Sequence, residues 1–160
     1  MLLDIDRLDF PMKRVFSLSD ELKRAPERVA LTQALTKDES RPFIGLKGSY
    51  GLFGSQEWWG NIELRKMPLL FVSGQISRAY VAGQDRSAGN NTIDLIARDG
   101  SVFPVGIYTN DKQDVELFRE GYWVEMVYAL DELKQQPASD GGVNYSKVAL
   151  EAAVSLQPVK

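Results

Sequence analysis

Hydrophobic and polar positions alternate with period two over most of the second half of the chain, the spacing of half-buried strands. The alternation starts near residue 57, where Ile62 and Leu64 interleave with Glu63 and Arg65. LLFVSGQISRAYV (69–81) predicts a longer strand, and Gly74 offers it a place to bend. Thr92–Arg98 sets Ile93, Leu95 and Ala97 on one face against Thr92, Asp94 and Arg98 on the other. Asp99-Gly100 predicts a two-residue hairpin turn, and SVFPVGIY (101–108) is the return strand, with Phe103, Val105 and Ile107 in phase. Pro104 has no N–H for a ladder, so this strand has an open edge or a bulge there.

Asn110 and Gln113 then read as an N-cap and its reciprocal partner, opening a short helix that runs through Phe118 and ends at Gly121. YWVEMVYAL (122–130) predicts a strand. The last strand is the clearest: Val148, Leu150, Ala152, Val154 and Leu156 alternate with Lys147, Ala149, Glu151, Ala153 and Ser155. Two polar segments, 82–91 and 131–145, are left as long loops.

The first forty residues read mainly as helix. Ser17 and Asp20 form a capping pair before SDELKRA, and Pro26 suits the first turn of PERVALTQALT, whose Leu31, Ala34 and Leu35 share a face. KDESRP breaks that pattern as a linker. The expected organisation is a helical extension over 1–40 and a β domain over 41–160 within one structural domain.

From residue 68 onward the order is strand, strand, strand, short helix, strand, strand. This order, with a glycine-bearing first strand, resembles the OB-fold, a five-stranded Greek-key barrel with a helix between its third and fourth strands. The resemblance is one of topology and carries no family motif. It implies function on the face of its second and third strands, flanked by loops 82–91 and 131–145. A half-open barrel or an antiparallel sheet with helices packed on it is the plainer alternative. In either form the expected class is α+β, mainly β.

The stretch GLKGSYGLFGSQEWWG (45–60) has glycines at 45, 48, 51, 54 and 60. A phosphate-binding P-loop is excluded, because Lys47 precedes Gly48-Ser49 and no helix is expected to follow. A dinucleotide fingerprint needs glycines two and then three apart, and here only threes occur. FIGLKGSYGL (43–52) resembles the Ile-Gly-x-x-Gly loop of KH domains, but that loop joins two helices, and Pro42, Gly51 and Gly54 speak against helices on either side. What remains is a segment where chain crosses chain closely. Trp58 and Trp59 cannot share a face in a strand, so one enters the core and the other lies at the surface.

Composition narrows the chemistry. The 160 residues contain no cysteine and no histidine, which removes disulfides, thiolate metal sites and the commonest general base. No nucleophile elbow of the G-x-S-x-G type is present, and the possible carboxylate pairs are Asp94 with Asp99, which strand and turn positions explain, or Glu125 with Asp131. No metal or other cofactor is expected. The N-terminus, MLLDIDRLDF, lacks the apolar core of a secretory signal, and no apolar run is long enough for a bilayer, so a cytoplasmic protein away from the membrane is expected.

The net charge of −3 is uneven: residues 41–90 hold six bases and three acids, and 91–160 hold six bases and eleven acids. The basic and aromatic residues singled out as binding candidates are Lys47, Trp58, Trp59, Arg65, Arg78, Arg86, Arg98 and Tyr108. An exposed tryptophan beside Lys47, Arg65 and Lys66 would suit single-stranded nucleic acid. The polar side of 92–98, with Thr92, Asp94 and Arg98, is not basic, however, as phosphate binding requires. The chain therefore reads first as a non-enzymatic interaction module for a protein or a small polar ligand, then as a single-stranded nucleic-acid binder, and last as a small carboxylate-dependent hydrolase.

Overall fold

The computed structural model of the chain describes residues 1–83 and 89–159. Its strands β1 (Met12–Ser17), β2 (Leu69–Tyr80), β3 (Thr92–Ile96), β4 (Val102–Gly106), β5 (Trp123–Glu132) and β6 (Tyr145–Ser155) form one sheet in the order β1-β6-β5-β2-β3-β4. Three helices join them: α1 (Leu18–Arg24), α2 (Pro26–Lys37) and α3 (Gln56–Glu63), with 3-10 turns at Ile5–Arg7 and Lys112–Leu117. The α+β, mainly β class expected from the alternation is found, as an open sheet whose edges are β1 and β4.

Several local expectations are corrected. Residues 12–17, expected within a helical segment, form β1 and pair with β6. The register slips between Arg14 and Phe16, so the adjacent Val15 and Phe16 are both buried and the period-two signal is lost. Residues 57–64, expected as a strand, lie in or just beyond α3. Ser55 caps that helix by accepting the Trp58 N–H, and the four-residue spacing of Trp58 and Ile62 sets both on its buried face while Leu64 is exposed. A helix therefore does follow the glycine stretch, against expectation.

The cap of the second 3-10 turn is Asp111, which accepts from the Gln113 N–H, and not Asn110. Asn110 instead clasps β1: its amide exchanges two hydrogen bonds with the backbone of Ser17, and its N–H donates to the Val15 carbonyl. The β3–β4 connection is longer than two residues. Ala97 and Ser101 close it, Gly100 donates back to Ala97, and only Gly100 is left-handed, with φ 87°. This is a turn followed by a glycine bulge, and Asp99 stabilises it by accepting from the Ser101 N–H and O–H.

The described residues group into two compact units that interleave in sequence. The first comprises Met1–Leu18, Phe71–Val127 and Ala149–Lys160, and the second Ser19–Leu70 and Tyr128–Val148. The first unit buries Val15, Phe16, Ile93, Leu95, Val124, Met126, Leu150 and Val154. β6 is buried continuously from Val148 to Ser155, as expected of a strand flanked on both sides, with Ala149, Ala152 and Ala153 giving close approach.

The second unit centres on Trp58, which is fully enclosed and meets Phe53 and Trp59 edge to face at 5.0 and 4.9 Å between ring centroids. The Trp58 indole N–H donates to the buried Asp131 carboxylate at 2.9 Å. The glycine spacing is explained here. Gly45, Gly48, Gly51 and Gly54 all have positive φ, and a Cβ on them would meet Leu35, Thr36, Glu57 and Val29 respectively at 2.8–3.2 Å. The segment thus lies along α2 and the start of α3 as closely as backbone can, which is the chain-against-chain crossing expected from the sequence. The Lys134 ammonium donates to the carbonyls of Leu35, Asp38 and Arg41, supplying partners that the end of α2 lacks.

Candidate functional site

The residues singled out from the sequence divide between the two units. In the second unit, Trp58 is a core residue with no surface to offer a ligand, and Trp59 is half-buried against it. Lys47 pairs with Glu132 at 3.8 Å, and Arg65 takes a left-handed conformation just past α3, its guanidinium donating to the Ile62 carbonyl. Each side chain there serves its own unit. Segment 133–144 is a clasped hairpin rather than a loose loop: the Gln136 amide donates to Leu133 and Asn144 carbonyls and accepts the Asn144 N–H. Arg86 and the middle of segment 82–91 lie outside the described residues; its ends are tied by the Asn91 amide, which bonds both the N–H and the carbonyl of Ala82.

In the first unit, Arg78 lies on the outer face of β2–β3–β4 and Tyr108 packs on Phe16 with centroids 5.6 Å apart. Arg98 is exposed at the tip of the β3–β4 hairpin.

That outer face is built by register. Across the three strands Arg78 pairs with Asp94 and Asp94 with Pro104, Tyr80 with Thr92 and Thr92 with Gly106, and Ile96 with Val102. Cross-strand partners share a face, and the neighbouring positions Ile93 and Leu95 are fully buried on the other side. A slip in register between Ile76 and Arg78 decides which way the arginine points. Without it, Ile76 and Arg78 would share a side, since they are two apart; with it, Ile76 enters the core and Arg78 faces out. Gly74 is required nearby because a Cβ there would lie 2.8 Å from the Ile96 carbonyl oxygen.

The polar groups of the face form a compact cluster. Arg78 Nε donates to Asp94 Oδ2 at 2.9 Å, and the Tyr80 hydroxyl donates to Asp94 Oδ1 at 2.8 Å. The guanidinium also lies over the Tyr80 ring, 3.9 Å from its centroid. The Tyr80 hydrogen bond, then Arg78, hold the Asp94 carboxyl below the usual carboxylate range; the same Asp94 bond pushes the Tyr80 phenol up. Arg78, Asp94 and Tyr80 are thus fixed as cation, anion and neutral phenol. Around them Ile96 is 37% and Val102 59% exposed, so an apolar cross-strand pair borders the cluster on a face open to solvent.

The edge beside this face is closed to further pairing at one point. Ile107 donates to Asn91 and Ala97 to Ser101, so the odd-numbered positions of β4 hold the ladder to β3 and the even-numbered ones direct their backbone away. Pro104 is one of the latter: its missing N–H falls on the open edge, where the sheet loses nothing.

The carboxylate pairs considered for catalysis are taken individually. Asp99 serves its turn, Asp94 the cluster, Glu125 pairs with Arg7 at 2.6 Å, and Asp131 holds Trp58. Among the described residues no group of three or more potential ligands could hold a metal ion. No helix among the described residues is long and apolar enough to cross a membrane.

Compared with known proteins, residues 12–155 match the family model of the immunity protein RhsI2. None of the curated proteins compared with the chain matches it. A match over that much of its length places the chain in the RhsI2 immunity-protein family.

Proposed function

From that membership we propose that the chain neutralises a Rhs toxin by binding it, protein to protein, without chemistry of its own. The family supports a protein partner, and the composition of the outer face of β2–β3–β4 favours that face as the contact. Binding surfaces draw their energy from arginine and aromatic anchors bordered by apolar area, and Arg78, Tyr80, Ile96 and Val102 supply that composition on one rigid face. The OB-like reading of the topology points to the same place, since it puts ligands on its second and third strands, here β3 and β4. Toxin and antidote then meet in the cytoplasm, the compartment expected from a chain without cysteine.

The test is co-expression. A Rhs toxin that kills its host cell should be tolerated when this chain is produced with it, and the two should co-elute as a complex on size exclusion. Ile96→Glu with Val102→Glu should abolish both protection and complex. Protection with no detectable complex would sink the binding mechanism, and full protection by the double variant would move the contact elsewhere.

A further inference from the structure

We propose that Arg78 is the anchor of the toxin contact, receiving a surface carboxylate of the toxin in a two-pronged hydrogen bond. The inference rests on the toxin-binding reading above and adds to it the chemistry of the partner. A guanidinium has five N–H donors in a fixed fork. Asp94 takes the Nε–H through Oδ2, and its other oxygen is already engaged by the Tyr80 hydroxyl. The acceptors within the cluster are therefore fewer than the donors Arg78 carries, and its side chain is 65% exposed.

The usual entropic penalty of using a surface arginine is reduced here. Its guanidinium carbon lies over the Tyr80 ring and its Nε is tied to Asp94, so the long side chain is held in place before a partner arrives. The charge count points the same way. Asp94 is the carboxylate within the cluster and is neutralised by Arg78; Asp99, at the hairpin tip beside Arg98, is engaged by Ser101. A partner that brings a carboxylate finds donors without meeting an unpaired anion in the cluster, and the Ile96–Val102 pair beside it offers apolar area to exclude water. A single arginine beside an anion and an apolar pair suits a protein carboxylate better than the run of phosphates of a nucleic acid, which calls for a basic stripe.

Asp94 and Tyr80 act through Arg78 as positioning residues. Calorimetric titration with a purified Rhs toxin that the chain neutralises in cells tests the assignment. Arg78→Ala should weaken binding by about 30-fold or more, the scale of an interface anchor. Arg78→Lys should recover little, because an ammonium lacks the fork. Asp94→Asn should weaken binding by a smaller factor in the native chain and have no further effect in the Arg78→Ala background. Arg78→Glu should abolish binding, and an arginine replacing one acidic residue on the toxin should restore it. Binding by Arg78→Ala within twofold of the native chain, with its thermal midpoint unchanged, overturns the assignment and leaves the immunity reading standing. No binding of any neutralised toxin by the native chain overturns both. Single-stranded RNA or DNA binding that depends on Arg78, in place of toxin binding, overturns the choice of partner.

Discussion

The two units use the same kinds of residue in opposite directions. In the second, a tryptophan, a carboxylate, a lysine and a run of glycines all turn inward: Trp58 on Asp131, Lys134 on the end of α2, the glycines on the helices beside them. In the first, an arginine, a tyrosine and a carboxylate turn outward as a fixed cluster on the β2–β3–β4 face. The conspicuous motif is thus architectural, and the unremarkable alternation of Thr92, Asp94 and Ile96 builds the surface proposed for recognition. Composition alone does not separate these roles. What separates them is whether each polar group finds its partners within its own core or at a face with donors to spare.

The contrast is broken most severely at Trp58. Trp58→Ala should lower stability by about 3–5 kcal/mol in urea unfolding, the range for deleting a buried aromatic, since the side chain is fully enclosed. Val102→Ser on the exposed face should lower the same unfolding free energy by only about 0.5 kcal/mol or less while weakening toxin binding. Comparable losses of stability from both would show that the face is core in solution.

A smaller effect separates crowding from backbone strain. Gly100→Ala meets open space at φ 87° and should lose only the left-handed penalty, about 1–2 kcal/mol. Gly45→Ala shares that penalty at φ 97° and adds a Cβ 2.8 Å from Leu35 Cγ, so it should lose a further amount of about 1–3 kcal/mol. Equal losses at the two glycines would mean that α2 yields without resistance.

The smallest expected effect is in pH dependence, and its sign differs between the units. Burial pushes the Asp131 carboxyl up, so the folded state holds that proton more tightly than the unfolded chain does. Its contribution makes the protein more stable as pH falls from neutral through that raised value, and Asp131→Asn should remove the trend. Asp94 is held low by Tyr80 and Arg78, so its contribution is present above the ordinary carboxylate range and lost as pH falls below it. Asp94→Asn should flatten only that acidic loss. Unfolding midpoints of the three proteins across the acidic range test both slopes, and identical curves would show that neither carboxyl is perturbed.

The parts of the fold that follow a local rule were legible in the sequence. Ile93 and Leu95 alternate with Thr92 and Asp94, and burial follows that alternation; Pro104 announced an edge and stands on one. What depends on a partner far along the chain was not. Two slips in register, one in β1 and one before Arg78, cancel the period that would have revealed the strand and the outward arginine. The spacing of Ile62 and Leu64, two apart, predicts a strand through the tryptophans, but the four-residue spacing of Trp58 and Ile62 prevails because Ser55 caps a helix. Asp131 lies 73 positions from Trp58, and no local pattern joins them. The cluster itself could have been suspected from one signal: Arg78 and Tyr80, two apart before segment 82–91, and Asp94 on the polar side of the alternation that follows it.

Pro104 also bears on which routes of recognition are open at the β4 edge. A neighbour that added its backbone to β4 would be recognised through main-chain groups common to every sequence, and the proline interrupts that route. In the proposed contact, recognition is left to side chains such as Arg78, Ile96 and Val102 on the open face. A contact of the proposed kind changes by single side-chain substitutions and needs no rebuilding of a strand edge.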